Sequence, residues 1–159
     1  MNVRRKSAED DEWLRELLVR DWGGTSIIVH GEEIELLAHP ALVAGERDGV
    51  AIFRADDPAE LLLLSAFTKR AGLGSALLDE LVAELRRRRV RSLRVTTTND
   101  NLDALRFYQR RGFRLVELRP GAVNAARSRK PSIPALGDYG IPLSDELDLV
   151  LDVGAGTSP

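Results

Sequence analysis

Between residues 61 and 98 the hydrophobic pattern changes from strand to helix and back to strand. The continuous apolar run from Leu61 to Phe67 predicts a strand that is buried on both faces. Leucine and valine residues then recur at helical spacing, which predicts a helix beginning near Gly74-Ser75. The segment from Ser92 to Thr98 predicts the next strand, with Val95 on its apolar face. A strand, a helix and a strand in this order imply locally parallel pairing, with helices covering the sheet.

The remaining segments extend this core at both ends. Ser7 is predicted to cap a first helix that stops at Gly23-Gly24. Strands are predicted at 25–30, 32–37, 42–45, 49–54, 113–118 and 147–153, a second helix at 102–111, and an irregular segment at 119–144. We therefore expect an α/β fold with a mixed central β-sheet flanked by helices. One domain is expected over residues 1–153, followed by a flexible tail at 154–159.

Composition excludes several classes of function. The chain of 159 residues carries 23 Lys and Arg against 25 Asp and Glu, so no global basic field attracts nucleic acid or anionic lipid. It has no cysteine, which excludes disulfides and thiolate catalysis. The basic start at 3–6 is followed by acidic residues at 9–12 instead of the apolar stretch of an export signal. Because the longest apolar run is far too short to cross a bilayer, we expect a cytoplasmic protein without membrane contact.

A glycine-containing turn joins the apolar strand to the helix. Backbone amides at a helix start carry a partial positive charge, which suits phosphate oxygens. Gly72 and Gly74 allow close backbone approach, and Lys69 or Arg70 adds charge-assisted contacts. Tight strand-to-helix turns also contain glycine for conformational reasons alone, and that alternative stays open. The dinucleotide fingerprint would need a glycine where Leu77 stands.

Together with a second segment, this turn resembles the GNAT superfamily of acyl-CoA-dependent N-acyltransferases. The clear resemblance covers about residues 60–118. Two motifs carry it: Lys69-x-x-Gly72-x-Gly74 is similar to the pyrophosphate loop of the family, and Asn101-x-x-Ala104-x-x-Phe107-Tyr108-x-x-x-Gly112-Phe113 to its second cofactor motif. The chain departs from the family at three loop positions, namely Lys69 for the commoner Gln or Arg, Arg70 for a frequent Gly, and Ala71 for a frequent basic residue.

The resemblance implies acetyl-CoA as the acyl-donor co-substrate. The strands at 62–67 and 92–98 would splay apart around the pantetheine arm. The cofactor-binding residues that the resemblance implies are Leu64, Ala66, Lys69, Arg70, Ala71, Gly72, Leu73, Gly74, Ser75, Asn101 and Tyr108.

The resemblance also implies roles for four individual residues, each with a plainer alternative. Tyr108 occupies the general-acid position, or it packs on the buried face of its helix. Asn101 contacts the cofactor, caps its helix, or does both. Glu60 is the candidate general base, or a solvated residue at a strand end. Trp22 forms part of the acceptor-substrate wall, or packs in the core.

The predicted function is therefore acetyl transfer from acetyl-CoA to a primary amine, directly and in a ternary complex. The alternative is a catalytically weak acyl-CoA-binding sensor or scaffold domain. A third hypothesis, RNA binding by Arg86–Arg91, is less favoured because a solvated helix terminus accounts for the same run. No metal is needed, since His30 and His39 lack metal-ligand spacing. Family members often pair, so a homodimer is an open possibility.

Overall fold

The computed structural model describes residues 2–67 and 72–154. The described residues fall into two compact units, the first within 1–26, 35–93 and 152–159, and the second at 27–34 and 94–151. In chain order the helices and strands are β1 (Val3–Arg5), α1 (Asp11–Trp22), β2 (Ser26–Val29), β3 (Glu32–Glu35), β4 (Ala41–Ala44), β5 (Gly49–Arg54), β6 (Ala59–Ala66), α2 (Leu73–Arg87), β7 (Ser92–Thr98), α3 (Leu102–Arg110), β8 (Arg114–Arg119), α4 (Ala122–Arg129) and β9 (Glu146–Asp152).

Four antiparallel strands form the sheet of the first unit, in the order β1-β4-β5-β6. Helix α2 packs on β4, β5 and β6 through the face that its leucine spacing predicts, and Leu77, Leu81 and Leu85 are fully buried. Strand β1 was not expected, because two of its three residues are arginines and it has no apolar alternation. It is held by antiparallel pairing with β4, in the register Val3 opposite Ala44.

Strand β6 is not buried on both faces, so that prediction is wrong. Leu61 and Leu63 are 3% and 4% exposed, whereas Leu62 and Leu64 are only half-buried. The strand therefore has one core face and one partly open face, as period-two side-chain alternation requires. A run of leucines hides this alternation from a reading of sequence.

The ends of α1 follow the predicted signals. The Ser7 amide donates to the Asp10 carboxylate at 2.9 Å, and a short 3₁₀ turn at 8–10 leads into the helix. Gly23 ends α1 in the left-handed region, with φ of 76°.

In the second unit, β9 lies between β7 and β8 and pairs with β8 in antiparallel fashion. Strands β2 and β3 form a separate hairpin. The prediction of an irregular segment at 119–144 is wrong at α4, whose Val123 and Ala126 are buried. The Gly, Pro and Ser content of the whole segment masked eight residues that are rich in alanine, a strong helix former.

No helix within residues 2–67 and 72–154 is long and apolar enough to cross a membrane. The single-domain boundary at 153 stays a prediction. The predicted tail lies outside the described residues apart from Gly154.

Candidate active site

The start of α2 provides the first part of the predicted site. Gly72 precedes the helix in the left-handed region with φ of 105°, and a side chain there would meet open space. The Ala76 amide donates to the Gly72 carbonyl at 2.8 Å, which places the amides of Leu73 and Gly74 before the first helical hydrogen bond. Such amides at the positive end of a 15-residue helix fit a pyrophosphate group. Ser75 lies in the same first turn, whereas Lys69, Arg70 and Ala71 lie outside the described residues.

Three further predicted residues lie on β6, which pairs with β5. Leu64 is half-buried and Ala66 is exposed, and they lie opposite Ala51 and Gly49 in the register. The Glu60 carboxylate accepts a hydrogen bond from Arg54 at 3.1 Å, and both side chains are largely buried. Glu60 is therefore an ion-paired residue, not a freely solvated one. Before Glu60 could accept a proton, its ion pair with Arg54 would have to break.

Trp22 is the last residue of α1, and 45% of it is exposed. The alternative that it packs in the core is therefore wrong. The other tryptophan, Trp13, is half-buried, with its ring edge-on to Phe67 at 6.1 Å between centroids. The indole of Trp22 is left on the surface, where a substrate can reach it.

Tyr108 lies on the buried side of α3 and is 6% exposed. Its ring packs between Phe107 and Phe113, with centroids 5.3 and 5.2 Å away. Burial raises the pKa of the Tyr108 phenol well above its usual value, so the hydroxyl stays protonated at neutral pH. The packing interpretation therefore describes the ring correctly, and it leaves a protonated phenol of the kind that a general acid requires.

Asn101 is the N-cap of α3. Its side-chain oxygen accepts a hydrogen bond from the Ala104 amide at 3.1 Å. The cap alternative is thus confirmed. The side-chain NH₂ of Asn101 is not needed for the cap, so a cofactor contact stays a prediction alongside it.

A polar cluster in the second unit was not predicted. The guanidinium of Arg119 donates to Asp148 through both terminal nitrogens, each at 2.7 Å, and its Nε donates to Glu146 at 3.1 Å. His30 Nε2 lies 3.0 Å from the same Asp148 carboxylate. Glu146 and Asp148 are 4% and 1% exposed. The available signal was the pair Glu146 and Asp148, two positions apart at the start of the apolar strand predicted at 147–153, because this spacing places both side chains on one face.

Burial by itself would raise the pKa of Asp148. Hydrogen bonds from Arg119, Thr96 and His30 outweigh burial and hold that pKa well below its usual range. Asp148 is therefore ionised at every physiological pH. Among the described residues, no group of three or more His, Asp or Glu side chains is arranged to hold a metal ion.

The arginine run at the end of α2 is partly compensated by its own helix. Arg87 pairs with Glu80 at 3.3 Å, and Arg88 pairs with Glu84 at 3.1 Å. Both pairs are neighbours along the α2 surface, as expected at the C-terminus of an amphipathic helix.

Comparison with known proteins identifies a family for this chain. Residues 8–113 match the profile of the family described as "Acetyltransferase (GNAT) family". The uncharacterised Bacillus subtilis protein YxbD is 43% identical over 98 residues, which are 62% of this chain and 62% of that protein. The match thus spans less than two thirds of that relative.

Solved structures share the fold. A GNAT family acetyltransferase from Elizabethkingia anophelis with acetyl-CoA bound has a TM-score of 0.65 at 16% identity, covering 95% of this chain and 97% of that one. An IAA acetyltransferase from Bacillus cereus has a TM-score of 0.67 at 18% identity, covering 95% and 99%. The predicted α/β fold class, a mixed sheet flanked by helices, is confirmed.

Proposed function

The chain belongs to the acetyltransferase (GNAT) family, and from this premise we propose that it transfers an acetyl group from acetyl-CoA to a primary amine. The transfer is direct, with both substrates bound together. The observation that carries this proposal is Tyr108, whose phenol stands at the family's acid position and is 6% exposed on the buried side of α3.

The described residues at the start of α2 fit the diphosphate of acetyl-CoA. The amides of Leu73, Gly74 and Ser75 would bind it, assisted by Lys69, Arg70 and Ala71, which precede them in the sequence. The backbone of β6 near Leu64 and Ala66 and the side chain of Asn101 would hold other parts of the molecule. When bound, acetyl-CoA supplies an acetyl group that is activated as a thioester.

Amine attack on a thioester places two demands on the protein. An alkylammonium has a pKa of about 10, so a base must remove one proton before the nitrogen can attack. The departing thiolate must then gain a proton, which the Tyr108 hydroxyl donates. Glu60 is the base that the family resemblance implies, and it acts only when its ion pair with Arg54 opens.

The exposed side chain of Trp22 favours an acceptor that has an apolar surface. With 45% of the residue exposed at the end of α1, its indole offers a stacking face at little entropic cost. We assign it to the wall of the acceptor site.

The test has two stages. Calorimetry compares the binding of acetyl-CoA, free CoA and ATP, and released thiol is then followed across a panel of primary amines. The proposal expects acetyl-CoA to bind with micromolar affinity and at least one amine to be acetylated. Binding without turnover across a broad panel would favour the sensor or scaffold alternative. Absence of binding would contradict both functions.

A further inference from the structure

A cavity of about 310 Å³ lies in the second unit, beside the β2–β3 hairpin, α4 and the polar cluster. We propose that this cavity binds the acceptor amine and that His30 removes the proton from its ammonium group. The inference rests on the proposed function. It assigns the base of that reaction to His30 in place of Glu60, and the amine-binding surface to this cavity in place of Trp22. Residues that line the cavity include Ile28, His30, Glu117, Arg119, Ala126 and Glu146.

The hydrogen bonds around His30 determine which ring nitrogen carries the proton. The Thr96 hydroxyl donates to Asp148 at 2.7 Å, so its oxygen can only accept from the imidazole. His30 Nε2 lies 2.9 Å from that oxygen and 3.0 Å from the ionised Asp148 carboxylate. Because both neighbours accept, Nε2 carries a proton. Nδ1 is therefore the ring nitrogen that we assign to receive the proton of the ammonium group.

The backbone at His30 is held in an unfavourable conformation. His30 and Gly31 form the two-residue turn between β2 and β3, with φ of 53° and 74°. Asparagine and glycine are the residues that such turns favour, whereas a non-glycine residue at positive φ is strained. Strained positions that persist tend to carry functional side chains. Here the strain places the imidazole against Asp148.

Charged groups of both signs line the cavity, and its carboxylates can bind an ammonium group. Glu117, Glu146 and Asp148 all accept hydrogen bonds from the single guanidinium of Arg119. Arg129, on α4, donates to the carbonyl of Gly31. Two carboxylates and two guanidinium groups therefore line the cavity, and Glu117 and Glu146 offer oxygens that can accept hydrogen bonds from an ammonium group.

The non-polar part of the lining sets the size and character of the ligand. Ile28 and the α4 alanines Ala122, Ala125 and Ala126 provide apolar contact. The volume is at the lower end of the range for small-molecule sites, roughly 300–1,000 Å³. The expected acceptor is a small primary amine with a short apolar body.

The proton transfer balances within the cavity. One N–H bond of the ammonium breaks, and its proton forms an N–H bond at His30 Nδ1, leaving the amine lone pair free to attack. The resulting imidazolium is stabilised by the ionised Asp148 at 3.0 Å. The His30 side chain is 29% exposed, so the proton can pass to solvent.

The first experiment needs no turnover. His30 and His39 are the two histidines of the chain, so ring-labelled histidine gives two NMR signals, assigned with His39→Asn. Phenethylamine is titrated without acetyl-CoA, and 3-phenylpropionate serves as the anionic counterpart. The proposal expects the amine to shift the His30 signal and leave His39 unchanged, while the carboxylate shifts neither. Equal response to both compounds, or no response to the amine, would overturn the cavity as an amine site.

The second experiment tests His30 as the base. His30→Asn preserves the turn, since asparagine suits positive φ, and His39→Asn is the matched control. With the best amine of the panel and saturating acetyl-CoA, His30→Asn should lower kcat at least 10-fold and leave the KM for acetyl-CoA within 2-fold. Full activity in His30→Asn with an active wild type would overturn this inference and leave the proposed function intact, whereas an inactive wild type overturns the function itself.

Asp148 acts through His30 and is a positioning residue. Asp148→Asn should displace the pH profile of kcat, because the imidazolium loses its counter-charge. Other charged groups near His30 also influence this pH profile. They are Asp148 and Glu146 from β9, Glu117 and Arg119 from β8, and Arg129 from α4. Arg94 lies on the same face of β7 as Thr96. A pH profile that is unchanged in shape and only reduced in height would indicate a merely structural role for Asp148.

Discussion

The guanidinium of Arg119 donates two hydrogen bonds of 2.7 Å to the carboxylate of Asp148. Asp148 is 1% exposed and the Arg119 side chain 23%, so this bidentate pair is largely removed from water. It joins the neighbouring strands β8 and β9 and fixes the carboxylate against which His30 rests. The pair thus links the stability of the second unit to the orientation of the proposed base.

Removing Arg119 should destabilise the protein strongly, because it leaves Asp148 buried without a counter-charge. Arg119→Met is expected to lower the free energy of unfolding by about 3 kcal/mol. Arg114→Met, on the exposed first residue of the same strand, should change it by less than about 0.5 kcal/mol. Urea unfolding measures both. Equal stabilities would show that the pair contributes no net stabilisation.

A second buried carboxylate predicts how stability depends on pH. Hydrogen bonds from Arg4 hold the pKa of Asp10 well below its usual range against the effect of burial, aided by Ser7 and Arg47. A lowered folded-state pKa stabilises the protein above the unfolded-state value of about 3.9, and this stabilisation is lost as the pH falls towards the folded-state value. Asp10→Asn should therefore be less stable than the wild type at pH 7, with a smaller loss of stability between pH 5 and 2.

The control for this pH prediction is Asp56→Asn, which changes an exposed carboxylate. Thermal unfolding from pH 7 to 2 should give parallel curves for the wild type and the control. If Asp10→Asn also runs parallel to the wild type, Asp10 does not carry the acid sensitivity.

Gly72 allows a prediction about the turn before α2. With φ of 105° and open space where a Cβ would lie, Gly72→Ala is strained by its backbone alone. We expect a loss of about 1 kcal/mol in the free energy of unfolding and weaker acetyl-CoA binding by calorimetry. Gly72→Asn should lose less, because asparagine tolerates the left-handed region better than alanine does. An alanine variant with unchanged stability and affinity would contradict this account of the turn.

Two variants separate the capping role of Asn101 from its proposed contact with acetyl-CoA. Asn101→Ala removes the cap on the Ala104 amide and should cost about 1 kcal/mol. Asn101→Asp keeps an acceptor oxygen at the cap but loses the side-chain NH₂, so it should retain stability while binding acetyl-CoA more weakly. Unchanged affinity in Asn101→Asp would limit Asn101 to capping.

Much of the fold follows from local patterns. The leucine spacing of α2, the Asn101 cap of α3 and the glycine that ends α1 each act within a few residues, so the sequence is enough to find them. Helix α4 was missed because eight residues give too short a pattern within a segment rich in turn formers. Strand β1 was missed because its stability comes from pairing with β4, which is distant in sequence.

In the candidate site, too, local sequence patterns reveal some residues and tertiary contacts determine the others. The turn before α2 and Tyr108 lie in contiguous motifs, and sequence identified both. The His30 cluster depends on side chains from β7, β8, β9 and a hairpin turn, with His30 and Asp148 separated by 118 positions. Only tertiary pairing brings such groups together, so no local pattern predicts their contact. Sequence likewise could not show that Arg54 engages Glu60.

The most direct test of the central claim compares Tyr108→Phe with the wild type. The ring packing against Phe107 and Phe113 is kept, so unfolding temperature and acetyl-CoA affinity should stay close to wild-type values. Loss of the hydroxyl should lower the rate of thiol release with a saturating amine by a factor of about 100 or more. A Tyr108→Phe variant that releases thiol at the wild-type rate would contradict the assignment of Tyr108 as the acid.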